Sequence, residues 1–344
     1  MLRPQVEAAV PPARHAPPAL RAAGLLAALL VLAAVAMLSL ALGSRPLTIG
    51  EAWSGLVDDA SGAYTVVHDM RLPRTVLGLI AGIALGLAGA VAQALTRNPI
   101  ADPGLLGINA GASAAVVSSI TFLGVTSFTG YIWFAFAGAA AVSVLVYAVS
   151  GGRGATPVRL ALAGAAINAA LYSYVSATEL LDAASLNRMR FWTVGSLADA
   201  RMSTVWSVLP FIAVGTVLAL FLARGLNALA LGDDSARALG AKPAVTRVVS
   251  MVAITLLCGA ATAACGPIVF VGLMVPHMVR AFTGPDLRWL LPYCLLLSPV
   301  MLLGADIIGR VAARPGEILV GIVTAVLGGP VFLFLLLRRK AARA

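Results

Sequence analysis

The sequence predicts an all-α polytopic membrane protein with about ten transmembrane helices, and three observations carry that expectation. Hydrophobic residues fill 60% of the 344 positions, the mean hydropathy is +0.96, and charged residues reach only 11%. A soluble domain of this length needs far more polar surface to cover its core, whereas lipid accepts an apolar exterior. The apolar residues also come in blocks of about 20, the length that crosses a hydrocarbon core as a helix. Finally, Lys and Arg are scattered through the short segments between blocks, the pattern that orients a membrane protein.

Taken in order, residues 1–21 are rich in Pro, Ala and Arg and read as a disordered cytoplasmic N-terminus. A ten-span membrane domain follows over 22–337, with spans at 22–42, 74–95, 104–123, 130–149, 158–180, 204–223, 245–264, 266–281, 290–310 and 318–337. The first run is long for a signal-peptide core and is read as a retained helix. The eighth is short and holds Gly266, Pro267, Gly272 and Pro276, so its limits are the least regular. A short basic tail, 338–344, closes the chain. Alternate segments between spans carry sixteen and eight of the 24 Lys and Arg. That bias places both termini, and the segment 230–243, in the cytoplasm.

Small residues recur four apart within the spans. Gly78, Gly82 and Gly86 share one face of the second, Gly107 and Gly111 recur in the third, and Gly321, Ala325 and Gly329 in the tenth. Such stripes let helix backbones approach closely, which matters because lipid supplies no hydrophobic drive for association. The expectation is helix packing along these faces, beside the pathway through the bundle.

The chemistry that is missing is equally informative. There is no GxxxxGK[ST] loop to cradle nucleotide phosphates, no HExxH, no GxSxG and no clustered metal ligands, so no catalytic residues and no metal site are assigned. No basic stripe interleaved with aromatics points to nucleic acid, despite a net charge of +10. Cys258, Cys265 and Cys294 lie in or beside apolar spans and read as small buried hydrophobes. Asp306 and Arg310 share a helix face at i, i+4 and can pair. The shortage of ionisable groups inside spans disfavours coupling to a proton or sodium gradient, the alternative reading.

One segment breaks the apolar pattern. "ALGDDSARALGAKP" (230–243) holds two Asp, an Arg and a Lys between two long spans. Asp233 suits a helix N-cap, Asp234 the dipole of a first turn, and Gly240 a helix stop. Two turns of helix are too short to persist alone in water, so a partner is expected to pack on them.

Several ordered stretches closely resemble the FecCD-type permeases, the membrane subunits of ABC importers for iron–siderophores, haem and vitamin B12. They are "RLPRTVLGLIAGIALGLAGAVAQALTRNPIADPGLLGINAGA" (71–112), "RFWTVGSLADA" (190–200), "LNALALGDDSARALG" (226–240), "GPIVFVGLMVPHMVR" (266–280), "LLGADIIGR" (302–310) and "EILVGIVTAVLGGPVFLFLLLRR" (317–339). The resemblance implies a type II ABC importer permease fold in a prokaryotic inner membrane, with two permease subunits, identical or different, forming one pathway. It implies that two cytoplasmic ATPases, which bind ATP and Mg, grip 229–243 through Leu231, Gly232, Asp233, Asp234, Arg237, Leu239 and Gly240. It implies further that an extracytoplasmic binding protein delivers a metal chelate and docks on Arg71, Arg74 and Arg310. A cytoplasmic gate is implied near Thr156 and Pro157, and no cofactor on this chain. Leu319 stands where the family tends to have Pro, which leaves the local bend before the last span open.

Overall fold

The structure is a computed structural model that describes residues 18–43, 46–125 and 127–341. The described residues form fourteen α-helices: α1 (Pro18–Ala41), α2 (Ile49–Val57), α3 (Leu72–Leu95), α4 (Ile108–Leu123), α5 (Phe128–Val149), α6 (Pro157–Leu181), α7 (Ala183–Trp192), α8 (Met202–Phe221), α9 (Ala223–Ala230), α10 (Asp233–Ala238), α11 (Pro243–Cys265), α12 (Val271–Thr283), α13 (Leu287–Ala312) and α14 (Val320–Ala341). Ten of them fall on the ten predicted spans, and α2, α7, α9 and α10 are short additions between spans. Seven are long and apolar enough to cross a membrane by length and composition, while α4, α12 and the Val320–Leu333 stretch of α14 are shorter. Most of the expected N-terminal segment, residues 1–17, and the last three of the tail lie outside the described residues. Residues 18–21, expected to be disordered, already belong to α1. Pro18 suits the first turn of a helix, where its missing N–H costs nothing.

Helix α3 occupies the centre, packed against α13, α11, α12 and α8. Nearly every residue on its inner turns is buried, and these are largely Gly and Ala. Its neighbours Leu257, Ala260, Leu290 and Leu302 complete the same buried cluster. Small side chains on α3 bring these helices close, so each apposed pair gains many dispersion contacts.

The irregular eighth span takes a definite form. After Cys265 the chain leaves helix, and Phe270 adopts φ +72° before α12 begins at Val271. The Cys265 carbonyl at that exit is paired within the protein, accepting from Ser196 N–H at 2.7 Å. Non-helical backbone at membrane depth is stable only when protein satisfies it in this way.

Contacts between distant segments sort the ends of the bundle. The start of α1 meets α13 near its start, where Tyr293 Oη donates to Arg21 O at 2.7 Å. Asn227 of α9 donates to Asp286, just before α13, at 2.6 Å, and Arg97, after α3, reaches Asp233. At the opposite end, Arg310 near the close of α13 reaches the carbonyl oxygens of Ser39 and Leu42. The alternation of segments expected from the spans therefore holds for these helices.

Candidate functional site

The glycine stripe on α3 is a packing seam. A Cβ at Gly82 would come within 2.6 Å of Pro299 Cα, one at Gly78 within 2.5 Å of Leu303 Cδ2, and one at Gly86 would overlap the Ser298 side chain. All three neighbours belong to α13. On α4, Gly111 lies against Gly138 O and Val142 of α5. Gly107 differs from expectation: it is the N-cap of α4 at φ +81°, a backbone turn packed on Val142. In α14, Gly321 abuts Val194 O, but Gly329 faces open space and is no part of a seam.

At one end of the bundle the three predicted docking arginines converge, with their donors turned inward. Asp306, with 1% of its side chain exposed, accepts Arg74 Nε and Nη2, the shortest contact being 2.7 Å. Arg310 Nε stands 3.0 Å from Asp306 Oδ2, an ion-pair contact without hydrogen-bond alignment. Arg310 also donates to Ser39 O and Leu42 O, and Arg71 to Leu40 O and Ala41 O at 2.6 and 2.7 Å. Those carbonyls close α1, where the last turn of a helix leaves acceptors without intrahelical partners and a negative dipole end. Arg74 Nη1 reaches Glu317 Oε2 at 2.8 Å, and Glu317, 34% exposed, is the open rim of the cluster. The sequence reading offered these arginines outward; in the structure they bind α1, α3, α13 and the α13–α14 connection to one another.

The charged segment 230–243 forms a pinned knob at the other end. Its helix α10 spans Asp233–Ala238, and the N-cap is Gly232, at φ +103°. Asp233 therefore does not cap the helix as expected. Its carboxylate instead accepts Arg247 of α11 at 2.6 Å and Arg97 at 3.0 Å, tying the knob to two spans. The hydrogen bond from Arg247 holds the Asp233 carboxyl below the usual carboxylate range, ahead of the opposing effect of partial burial. A carboxyl depressed in the folded state contributes above its ordinary value of about 3.9, and that contribution is lost only as pH falls through the lower one. The knob thus stays pinned throughout the neutral range. Asp234 lies in the first turn and pairs with Arg237 at 2.8 Å, an exposed i, i+3 contact. The stop is as predicted: Gly240 at φ +78° donates to Arg237 O, and Ala241 N–H donates to Ala236 O. That reciprocal pair is a Schellman closure, which a left-handed residue makes possible. Leu231 and Leu239 flank α10 and stand 64% and 67% exposed, while Ala236 is buried beneath.

Thr156 and Pro157, the predicted gate, form the start of α6. Thr156 is the N-cap and accepts Arg159 N–H at 3.3 Å, with Pro157 in the first turn. Pro157 also borders a cavity of about 280 Å³ shared with Asn98 and Asp102, so the turn meets the connection between α3 and α4. A larger cavity, about 540 Å³, opens beside Asn109, Tyr172, Pro267, Gly321 and Ile322. Asn109 is largely buried, and its Oδ1 accepts Thr262 Oγ1 at 3.0 Å. Sequence reasoning missed Arg97 and Arg247 as the knob's anchors and Asn109 as a polar group on the cavity wall. A polar residue inside a span was signal enough for Asn109; nothing local links Arg97 to Asp233.

Apolar helices, seven of them long enough to cross a membrane, held by small-residue seams with a charge-pinned knob at one end and an ion cluster at the other, define a multi-pass helical membrane protein of the transporter class. The chain belongs to the FecCD transport family, which matches residues 29–338. It is 48% identical over 313 residues to the ferric enterobactin transport system permease protein FepD of Escherichia coli (strain K12), covering 89% of this chain and 92% of that protein. It is 37% identical over 315 residues to the hemin transport system permease protein HmuU of Yersinia pestis, covering 90% and 94%. Among solved structures it is similar to a metal-chelate type ABC transporter in an inward-facing conformation, with TM-score 0.81, 26% identity, and coverage of 92% of this chain and 99% of that one. The all-α permease fold and the transport function follow from this membership.

Proposed function

We propose that this chain is the membrane-spanning subunit of an ATP-driven importer that moves an iron(III)-siderophore or related metal chelate into the cytoplasm. The observation that carries the energy source is the knob. It is stiffened by a Schellman stop, anchored by Asp233 to Arg247 and Arg97, and crowned by two uncovered leucines. A lever of that kind transmits a partner's movement to α3 and α11 directly, and its apolar crown suits a protein groove. Two such subunits, alike or related, share a pathway in the inner membrane, with the knobs and both termini in the cytoplasm. The nucleotide and its Mg belong to two ATPase subunits, since this chain has no phosphate-binding loop. Thr156 and Pro157 act as the gate at the same face.

An extracytoplasmic binding protein delivers cargo to the opposite face, and docking there engages the ion cluster. Arg74 is the residue best placed to exchange partners, because Glu317 is the only acid of the cluster that reaches solvent. The resemblance of the chain to ferric-siderophore and haem permeases supports the cargo class.

Reconstitution tests the reading. Proteoliposomes holding this chain with its ATPase and binding protein are expected to take up ferric siderophore with ATP and to stop with vanadate. Uptake by this chain alone under a proton or sodium gradient would replace the ATP-driven reading with the secondary-transporter one.

A further inference from the structure

Helices α5 and α11 leave between them a groove of about 320 Å³ that none of the features above uses. Phe136, Ala140 and Val144 line it from α5, and Met251, Val252 and Leu256 from α11. Phe211 of α8 packs on Phe136 with ring centroids 4.6 Å apart, beside its deep end. The groove is nearly all apolar and borders side chains exposed on the outside of the bundle, Val144 and Val252 among them.

Three hydroxyls interrupt that lining, those of Ser143 and Tyr147 on α5 and of Thr255 on α11. Ser143, only 2% exposed, and Tyr147 stand one turn apart on α5, and neither Ser143 Oγ nor Tyr147 Oη has a hydrogen-bond partner. Some span hydroxyls fold back on the carbonyl four residues earlier, as Ser118 does on Ala114, Ser173 on Ala169 and Ser207 on Ser203; Ser113, Thr204, Ser250 and Ser298 have no partner but border none of the cavities above. Ser143 makes no such bond. In hydrocarbon there is no water to receive these groups, so an acceptor has to come with whatever fills the groove. That occupant needs an apolar body and, one helical turn apart, two acceptors.

Position narrows the chemistry. Ser143 and Tyr147 occupy the last two turns of α5, which ends at Val149. This is the level of a bilayer where a glycerophospholipid carries its two ester carbonyls, which accept hydrogen bonds and donate none. Phe136 and Leu256 lie deeper, where an acyl chain would run. At the shallow end α11 begins, and Lys242 is exposed just before it, a cation at the level of a lipid phosphate.

We infer that the α5–α11 groove is a binding site for one glycerophospholipid, whose acyl chain lies along Phe136, Ala140 and Leu256 while its ester carbonyls accept from Ser143 Oγ and Tyr147 Oη. Native mass spectrometry of the delipidated full chain tests this with dioleoyl phosphatidylglycerol and its diether analogue, which lacks both carbonyls. The diester is expected to bind at least tenfold more tightly than the diether. Ser143→Ala with Tyr147→Phe is expected to bind both equally weakly, with an unfolding temperature in lipid-free detergent no lower than that of the parent. Equal binding of diester and diether by the unaltered chain would overturn the site, as would undiminished diester binding by the double variant. The readout is binding alone, so it stands apart from whether the importer reading holds.

Discussion

Asp306 is where single residues matter most. Its carboxylate is buried between Arg310, itself buried, and Arg74, which is partly so, and Glu317 completes the cluster at the rim. Removing one partner of a buried ion pair leaves the other charge desolvated and unpaired, at a cost of ~3–5 kcal/mol, whereas an exposed pair is worth about 0–1 kcal/mol. Asp306→Ala is therefore expected to lower the unfolding temperature in detergent sharply, and Glu317→Gln to leave it nearly unchanged. Equal effects would show that the cluster is not organised around Asp306. The Asp306–Arg310 relation was legible as an i, i+4 spacing. The reach of Arg74 to Asp306 across 232 residues was not, because local spacing carries no information on which spans are neighbours.

At the scale of elements, hydrophobic block length located all ten span helices, but the caps and short helices obeyed local rules that composition only partly displays. Helix α10 illustrates both outcomes. Its stop was readable from Gly240, because only a left-handed residue lets Ala241 N–H reach Ala236 O. Its start was misread, since Asp233 is drawn from the cap position by two arginines from other segments. The closure yields a direct test. Proline at 240 can neither adopt φ +78° nor supply the N–H that reaches Arg237 O. Gly240→Pro is expected to leave the span bundle folded, with near-normal yield and unfolding temperature, while the ATPase no longer co-purifies. Undiminished co-purification would mean that the partner does not grip α10.

For the whole molecule, the informative contrast is between two spans that the chain itself leaves uncovered. Helices α1 and α6 are equally bare, yet α1 is the most apolar of the seven long spans and α6 the least. Lipid suits α1. It does not suit α6, which presents Tyr172, Ser173 and Ser176 on exposed positions and shares the 540 Å³ cavity with Ile322 of α14. Polar groups in a span are tolerated where protein or a water-lined path covers them, so the α6–α14 face is the one on which the proposed second subunit would pack. Sequence alone ranked α6 as an ordinary span, because burial by neighbours is invisible until the helices are assembled. The consequence can be read by cross-linking in native membranes. The three native cysteines are buried, so an introduced thiol dominates the reaction. Ile322→Cys on α14 is expected to trap a species of two permease subunits, whether identical or mixed, and Leu26→Cys on the exposed face of α1 to stay monomeric. The reverse pattern would put lipid on α6 and move the shared pathway to the α1 side, against the cavity and the polarity that now mark it.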